Sequence, residues 1–129
     1  DRGCEKEEFI VYGYMPVMIS AGCGLKTCRQ CDGKSTTYEI RDRLNNKFTT
    51  KCVCNYCYNI MYNCKPLSLL GYGKEIKSLN PEIIRLNYTF ENEKQVRDSL
   101  EKYINVFIDN HKLTDNTDST RGHFKRGVL

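Results

Sequence analysis

Eight of the 129 residues are cysteines, and seven of these lie between positions 23 and 64. Thiolates are the ligands by which proteins hold structural zinc and iron–sulfur clusters. The cysteines include two Cys-x-x-Cys pairs, Cys28/Cys31 and Cys54/Cys57, with 22 residues between the pairs. Two residues between cysteines allow one tight turn to direct both sulfurs at a single tetrahedral ion. The spacing therefore predicts a four-cysteine metal site.

The assignment of individual cysteines stays open at the level of spacing, because Cys23 is as good a ligand as Cys28. Cys23 follows an apolar segment, and its use would tie that segment to the site. A disulfide framework and a thioredoxin-type redox pair are the alternatives. Neighbouring Cys-x-x-Cys pairs make poor structural bridges, and neither pair has the strand-to-helix context of a redox motif. We interpret the cysteines outside the two pairs and position 23 as free thiols: Cys4, Cys52 and Cys64.

A predicted β-hairpin brings the two cysteine turns together. Residues 36–41 and 47–53 have the composition of strands, and Asn45 and Asn46 suit a two-residue turn because asparagine tolerates positive φ. A turn at these two residues pairs positions whose numbers add to 91, which sets Thr37 opposite Cys54. Both cysteine turns then lie at the same end of the hairpin, as in a zinc ribbon.

The expected cofactor is zinc, with a 4Fe–4S cluster as the alternative, because both accept four thiolates. A closed four-cysteine zinc site is structural, since it leaves no open position for a reacting water. The chain has two histidines, and neither lies in a His-Glu-x-x-His arrangement. It also lacks a Gly-x-Ser-x-Gly elbow and a Gly-rich phosphate loop. These residues alone do not predict a proteolytic centre.

The remaining elements are predicted from apolar patterning. Residues 8–20 are expected to form one strand buried on both faces, as in a parallel sheet. A helix is expected over residues 93–111, with Asn92 as N-cap and a buried stripe of Val96, Leu100, Ile104, Phe107 and Ile108. Further predictions are a helical start at 58–64, a short helix or turn at 66–70, a short helix at 74–79 and a strand at 82–88. This order indicates an α/β or α+β fold, in the form of a partial (β/α) barrel-like fragment.

Composition limits the partners of the chain. The formal net charge of +4 is mild, so a general argument for nucleic-acid binding is weak. The densest basic cluster, Arg121, Lys125 and Arg126, is interpreted as a solvated tail. No segment approaches the roughly 20 apolar residues of a membrane-spanning helix, so no membrane association is expected. The expected location is cytoplasmic.

Several stretches resemble the collagenase-like peptidases, which are family 32 of the peptidases of unknown catalytic type. Residues 11–18 (VYGYMPVM) resemble a hallmark segment of that family, and residues 41–43 (RDR) resemble its "LxDR" element. Residues 55–63 (NYCYNIMYN) resemble its "CxxCYNxxYN" segment. The match continues at 66–70 and 84–86, and residues 120–127 (TRGHFKRG) resemble the carboxyl end of long bacterial members.

The resemblance implies that a barrel-like domain precedes this segment, with residues 1–112 as the metal-binding carboxy-terminal part of a peptidase-family domain and 113–129 as a polar linker and tail. It also implies a ligand set, Cys23, Cys31, Cys54 and Cys57, with Cys28 as the alternate. We expect this segment to be inactive alone and to support the remainder of its own chain, with a protein or peptide as substrate. Asp42, Arg43 and Arg85 are expected to contact substrate, with surface ion pairs as the alternative.

Two other functions remain open. Related members of the family act in anaerobic hydroxylation of RNA bases or of a quinone precursor, and some hold iron–sulfur clusters on cysteines. The resemblance therefore also implies an iron–sulfur-dependent hydroxylation factor, for which RNA or a small aromatic molecule is the substrate. The third expectation is a non-catalytic interaction module.

Overall fold

A computed structural model describes residues 6–114, 118–122 and 124 of the chain. Within them the fold is a mixed α+β arrangement with two sheets and three α-helices. The chain divides into two compact units. Unit 1 comprises residues 1–13 and 65–129, and unit 2 comprises residues 14–64. The predicted division at 112/113 stays a prediction, as does the free thiol at Cys4, which lies outside the described residues.

Unit 1 contains a three-stranded sheet in the order β6-β1-β7. Strand β1 spans Glu8–Gly13 and pairs parallel with β7, Ile83–Asn87, and antiparallel with the short β6, Leu67–Ser68. Two helices accompany this sheet: α2 at Gly73–Ser78 and α3 at Glu93–Phe107. The predicted strand at 82–88 and short helix at 74–79 are confirmed, while 66–70 forms β6 and the start of a 3-10 turn.

The interior of unit 1 is a continuous hydrocarbon and aromatic cluster. Ile76 and Val11 are fully buried in it. The hydroxyl of Tyr103 donates to the Val11 carbonyl over 2.9 Å and lies 2.9 Å from the Ser68 hydroxyl. The cluster consists of residues from the sheet, the 3-10 turn and both helices: Val11, Leu69, Leu70, Tyr72, Ile76, Tyr103 and Val106.

Helix α3 begins where the sequence predicts. The Asn92 side chain accepts from the Gln95 amide, and the Gln95 side chain accepts from the Asn92 amide, which completes a capping box. The predicted buried stripe is confirmed only in part: Val96 and Phe107 are half-buried, and Phe107 packs against the core. The helix stops at Phe107, and Leu100, Ile104 and Ile108 are exposed. Tyr103 and Val106 are buried instead, because the Tyr103 hydroxyl finds its partners in the sheet.

Unit 2 contains a four-stranded antiparallel sheet in the order β2-β5-β4-β3. Its strands are β2 at Pro16–Ser20, β3 at Thr36–Arg41, β4 at Lys47–Val53 and β5 at Tyr58–Tyr62. Helix α1 is a single turn at Gly24–Thr27, and a 3-10 turn covers Cys54–Tyr56. The two strands of the predicted hairpin are confirmed at their predicted bounds.

Two element predictions in this region are wrong. Residues 8–20 form two strands in different sheets, because the extended conformation is interrupted between Gly13, whose φ is +146°, and Pro16. Only the first strand has buried residues, whereas Val17, Met18 and Ile19 of β2 are exposed. The predicted helical start at 58–64 is instead strand β5, which is stabilised by pairing with β2 on one side and β4 on the other.

The hairpin register also differs from the prediction. Thr37 pairs with Lys51 and Arg41 with Lys47, because the connection is a five-residue loop, 42–46, and not a two-residue turn. Asn45 takes the positive φ that asparagine tolerates, at 63°. Asp42 holds the loop by accepting from the amides of Leu44 and Asn46. The hairpin still returns the two cysteine segments to the same end.

The sheets remain open in the described part of the chain, and no closed barrel is present there. None of the helices found in that part is long and apolar enough to cross a membrane. Two residues of the basic cluster, Lys125 and Arg126, lie outside the described residues, and so does half of the 120–127 match.

Candidate metal centre

Cysteines lie in and next to the segments that flank one end of the sheet of unit 2, whereas Cys64 follows β5 at the other end. Cys52 is the penultimate residue of β4, and Cys54 begins the 3-10 turn that follows. Cys23 precedes α1, and Cys28 follows it. Each of the seven described cysteines is a free thiol: Cys23, Cys28, Cys31, Cys52, Cys54, Cys57 and Cys64.

The closest sulfur pair is Cys23 and Cys52, whose Sγ atoms lie 3.4 Å apart. Both residues are buried, with 5% and 0% of their surface exposed. A disulfide has an S–S length of about 2.05 Å, so this separation is not that of a bond. Tetrahedral zinc with Zn–S distances of about 2.3 Å sets its sulfurs about 3.8 Å apart. The pair is thus within a few tenths of an ångström of the spacing of two ligands on one ion.

Local hydrogen bonds hold Cys23 in place. Its carbonyl accepts from the Thr27 amide at 3.0 Å and from the Thr27 hydroxyl at 3.1 Å. The Asn59 side chain, from β5, donates to the Gly22 carbonyl at 2.9 Å. Gly24 allows Tyr38 to approach, since a Cβ there would lie 2.6 Å from the Tyr38 hydroxyl. These contacts connect the Cys23 turn to strands β3 and β5.

Cys31 and Cys54 influence each other electrostatically. Burial raises the pKa of the Cys54 thiol, and a side-chain hydrogen bond with Cys31 raises it further. The Cys54 amide donates to the Ser35 hydroxyl at 3.1 Å, which fixes the 3-10 turn against the loop that carries Cys31. Cys57 ends that turn with φ at 53° and is exposed. Its thiol points to the Cys54 carbonyl, with an S···O distance of 3.6 Å.

The two buried thiols differ in acidity. The Lys26 backbone amide and then the Cys52 side chain lower the pKa of Cys23. The hydrogen bond with Cys23 and burial raise the pKa of Cys52 to about 11. Cys23 is therefore the more acidic thiol of the pair, and Cys52 the less acidic one.

The chemistry of the donors suits a thiophilic metal, but their placement in the described residues does not assemble a site. All the nearby donors are thiols, which zinc and iron–sulfur clusters favour. Two buried side-chain oxygens on this sheet have no hydrogen-bond partner, Thr50 Oγ1 and Asn59 Oδ1. Thr50 lies two residues before Cys52 on the same face of β4, where a hydroxyl could donate to a metal thiolate. No group of three or more His, Cys, Asp or Glu side chains is already assembled for a metal in the residues that the structure describes.

Of the predicted ligands, Cys31 and then Cys57 and Cys23 raise the pKa of Cys54 further than burial alone does. The structure does not bring three or more of them together in the residues it describes. Cys28 is exposed at the end of α1. The pKa of the Tyr38 hydroxyl is raised mainly by burial, then by the charges of Cys23 and Cys52, and least by that of Cys28. Sequence reasoning missed Cys52. The signal that could have indicated its burial is the alternation of side chains along the strand: Thr50 and Cys52 are buried, and the charged Lys51 between them is exposed.

The predicted substrate contacts have structural partners. Arg85 forms an ion pair with Glu8 on the neighbouring strand, with an Nη2–Oε2 distance of 3.0 Å. Asp42 accepts from three donors within its own loop. Arg43 is exposed in the same loop. The alternative of a surface ion pair describes Arg85, and contact with a substrate stays a prediction for all three residues.

The interior of unit 2 has an unusual composition. All of residues 14–64 are described, and the buried ones are two cysteines, one threonine and one asparagine: Cys23, Thr50, Cys52 and Asn59. No buried aliphatic or aromatic side chain lies in this range. The best-buried part of unit 2 is therefore the candidate site itself.

No family model, curated protein or solved structure matches this chain. The resemblance to the collagenase-like peptidases therefore depends on the residues quoted for it alone.

Proposed function

We propose that residues 14–64 are a thiolate metal-binding module within a larger collagenase-like peptidase family protein, and that the metal is a structural zinc. The observation that carries this proposal is the interior of unit 2, which has two cysteines in the place of a hydrocarbon core. The module supports the rest of its chain, and through it the contact with a protein or peptide substrate, and is not itself a complete catalytic centre.

The energetic argument begins with size. Unit 2 has roughly 50 residues, and domains below about 70–80 residues rarely obtain more than 3–5 kcal/mol from a hydrophobic core. The hydrophobic contribution to the stability of unit 2 is smaller than that, since its aliphatic side chains are at best half-buried. Small domains of this kind are completed by disulfides or metals, and bound zinc contributes roughly 10–16 kcal/mol in zinc-finger peptides. A zinc ion would therefore supply most of the stability of this unit.

The residues that would hold the ion under the family resemblance are Cys23, Cys31, Cys54 and Cys57. Four thiolates close the coordination sphere, so the zinc has no position for a water to be activated. The thiolates and their hydrogen bonds would cross-link the Cys23 turn, the following loop and the end of β4. The ion would thereby fix the hairpin, which carries the family-like segment 41–43, and β5, which lies within the family-like segment 55–63.

Support for the family comes from unit 1. Its β1 and β7 pair in parallel, and β7 leads directly into α3, which is the strand-then-helix order of a (β/α) barrel. This order supports the proposal of a barrel-like fragment that packs with the remainder of its own chain in a cytoplasmic protein.

A second candidate, an iron–sulfur-dependent hydroxylation factor for RNA or a small aromatic substrate, is favoured by a cavity in unit 1. The cavity has a volume of about 420 Å³ and is lined by Lys74, Lys77 and Lys112, together with Leu70 and Val106. Ammonium groups over an apolar floor suit a nucleotide, which has phosphates and a flat base. The third candidate, a non-catalytic interaction module, predicts binding of the remainder of the chain without turnover.

The test is elemental analysis of the full chain, purified once in air and once anaerobically, with thiols counted before and after denaturation. We expect one zinc per chain and four thiols that become reactive only when the metal is released. A brown protein with iron and acid-labile sulfide would favour the second candidate. A chain with neither metal would overturn both. Cys64→Ser is the matched control, since Cys64 contacts Asn63 and is expected to leave the metal content unchanged.

A further inference from the structure

The buried pair of Cys23 and Cys52 is suited to a chemistry other than metal binding. We propose that these two residues are an oxidisable dithiol, which a small peroxide converts into a disulfide within unit 2. The pair is thus a modification site that goes beyond the proposed function, because its reaction needs the two sulfurs and an oxidant and no metal.

The two sulfurs are already in contact. Both residues are free thiols, and their Sγ atoms lie 3.4 Å apart. A disulfide has an S–S length of about 2.05 Å, so each sulfur has to move by only about 0.7 Å to form the bond. Rotation of the two side chains provides a movement of this size without a rearrangement of the backbone.

The surrounding backbone holds the two sulfurs in this position. Cys52 lies in β4, which pairs with β3 on one side and with β5 on the other, where the partner of Cys52 is Asn59. Directly paired residues lie on the same face of a sheet. The Asn59 side chain donates to the Gly22 carbonyl at 2.9 Å, so it holds the residue before Cys23 over the face of Cys52. The two thiols therefore meet through contacts that do not depend on a bond between them.

Other cysteine thiols of unit 2 have oxygen atoms as their partners. The Cys57 thiol points to the Cys54 carbonyl, and the Cys64 thiol points to the side-chain oxygen of Asn63, each with an S···O distance of 3.6 Å. A bridge between Cys31 and Cys54 is the competing product, because these two residues influence each other electrostatically. The buried pair is favoured over it by the short, defined contact between its sulfurs.

The exposure of the two residues sets the order of the reaction. Cys23 has 5% of its surface exposed and Cys52 has 0%, so hydrogen peroxide reaches Cys23 first. The Cys23 sulfur attacks a peroxide oxygen, an S–O bond forms and the O–O bond breaks, and the leaving hydroxide takes the thiol proton and becomes water. The product is a sulfenic acid.

The second step closes the bridge. The Cys52 sulfur attacks the sulfur of the Cys23 sulfenic acid, the S–S bond forms and the S–O bond breaks, and the leaving hydroxide takes the Cys52 proton as water. The two thiols together lose two electrons and two protons, and one hydrogen peroxide is reduced to two waters.

The bridge changes the unit in which it forms. It closes a covalent loop through α1, β3 and β4, in a unit whose residues 14–64 are all described and include no buried aliphatic or aromatic side chain. A cross-link restricts the unfolded chain, so the oxidised unit is more stable than the reduced metal-free one. A sulfur in a disulfide is no longer a thiolate and does not bind a metal. A zinc ion bound through Cys23 is therefore released when the bridge forms.

Disulfide mapping of the full chain tests the pair without any substitution. The anaerobically purified chain is treated with an equimolar amount of hydrogen peroxide, its remaining thiols are alkylated under denaturing conditions, and it is digested with trypsin. Peptide 7–26 has Cys23 as its only cysteine, and another tryptic peptide begins at Cys52. We expect these two peptides to be joined, with fragmentation locating the bond at Cys52, and a reductant to separate them. A peptide 7–26 that is alkylated instead, or a bridge from Cys31 to Cys54 in its place, would overturn the inference.

Metal content, measured before and after the peroxide is added, separates this inference from the proposed function. A chain that holds no zinc and still forms the bridge would support the inference and overturn the proposed function. A chain that holds zinc and keeps Cys23 and Cys52 reduced would overturn the inference and leave the proposed function intact. Release of the zinc together with bridge formation would support both.

Two serine variants of the full chain test the order of the steps. Cys52→Ser removes the second thiol, so the joined peptides should be lost and the Cys23 sulfenic acid should be captured by dimedone. The matched control Cys64→Ser, whose thiol contacts Asn63, should form the same bridge as the wild type. An unmodified Cys23 in the Cys52→Ser chain, or loss of the bridge in Cys64→Ser, would refute the inference. If Cys52→Ser does not fold, the map of the unsubstituted chain decides.

Discussion

The two units of this chain differ in the composition of their interiors, and therefore in what stabilises them. Unit 1 buries a cluster of aliphatic and aromatic side chains around Ile76 and Val11. Unit 2 has a larger sheet, yet its buried residues are two thiols, a hydroxyl and an amide. A hydrocarbon interior stabilises by removing apolar surface from water, at about 25 cal/mol per Å². A polar interior stabilises only when its groups have partners.

The buried polar groups differ as well. Among the described residues, three buried side-chain oxygens have no partner: Thr50 Oγ1 and Asn59 Oδ1 in unit 2, and Glu91 Oε1 in unit 1. In the core of unit 1 the buried Tyr103 and Ser68 hydroxyls bond to each other, and Tyr103 also bonds to the backbone. Unit 2 is therefore the part whose stability should depend on an added ligand, and unit 1 the part that should not.

The largest expected effect is the removal of the metal. Stripping zinc from the full chain with a strong chelator should remove roughly 10–16 kcal/mol from the stability of unit 2, by analogy with zinc-finger peptides. Hydrogen exchange measures this by segment. The amides of β4 and β5 should lose protection, while those of β1, β7 and α3 keep theirs. Loss of protection in both units together, or in neither, would contradict the comparison.

A truncation in each unit gives the next largest effect. Ile76 is 0% exposed in unit 1, and Ile19 is 68% exposed in unit 2. Ile76→Ala should therefore reduce the free energy of unfolding by about 2–5 kcal/mol, because it leaves a cavity. Ile19→Ala should change it by less than about 0.5 kcal/mol. Denaturant unfolding of the metal-loaded chain measures both, and a large loss from Ile19→Ala would show a hydrocarbon core in unit 2.

Removal of one buried hydroxyl gives a smaller effect. Tyr103→Phe deletes the donor to the Val11 carbonyl and the partner of Ser68, and should cost about 0.5–1.5 kcal/mol. Tyr56→Phe is the matched control in unit 2, where Tyr56 is 79% exposed and should lose less than about 0.5 kcal/mol. Equal losses in the two variants would mean that the Tyr103 network adds nothing to the core.

Local signals in the sequence predicted local structure well. The strands Thr36–Arg41 and Lys47–Val53 have their predicted bounds, and Asn92 caps α3. Each depends on residues near to one another in the chain. Strand β5 was predicted as a helical start, because its strand character comes from β2 and β4, whose partner residues are distant in sequence.

The rotation of α3 and the role of Cys52 needed tertiary information. Leu100 and Ile104 are more apolar than Tyr103, yet Tyr103 is buried because its hydroxyl finds partners on the sheet. The Cys-x-x-Cys spacing drew attention to Cys57. The alternation of Thr50, Lys51 and Cys52 along β4 would have marked Cys52 as buried, but only a known position for Cys23 shows what it contacts.

The smallest expected effect lies in the hairpin loop. Asp42 accepts from the Asn46 side chain and amide and from the Leu44 amide, at 2.8–2.9 Å. The Asn46 side chain and then its amide lower the pKa of the Asp42 carboxyl. Because the folded pKa is below the unfolded one, the loop gains stability above the ordinary pKa and loses it as the pH falls through the lowered value.

Titration of the Asp42 carboxyl by ¹³C NMR in the metal-loaded chain tests this arrangement. Asn46→Ala removes the side-chain donor and should raise the pKa of Asp42 toward its ordinary value, whereas the control Asn55→Ala should leave it unchanged. If Asp42 titrates at the same pH in all three proteins, its carboxylate does not hold the loop. The register of β3 on β4, which returns the cysteine segments to one end of the sheet, would then depend on strand pairing alone.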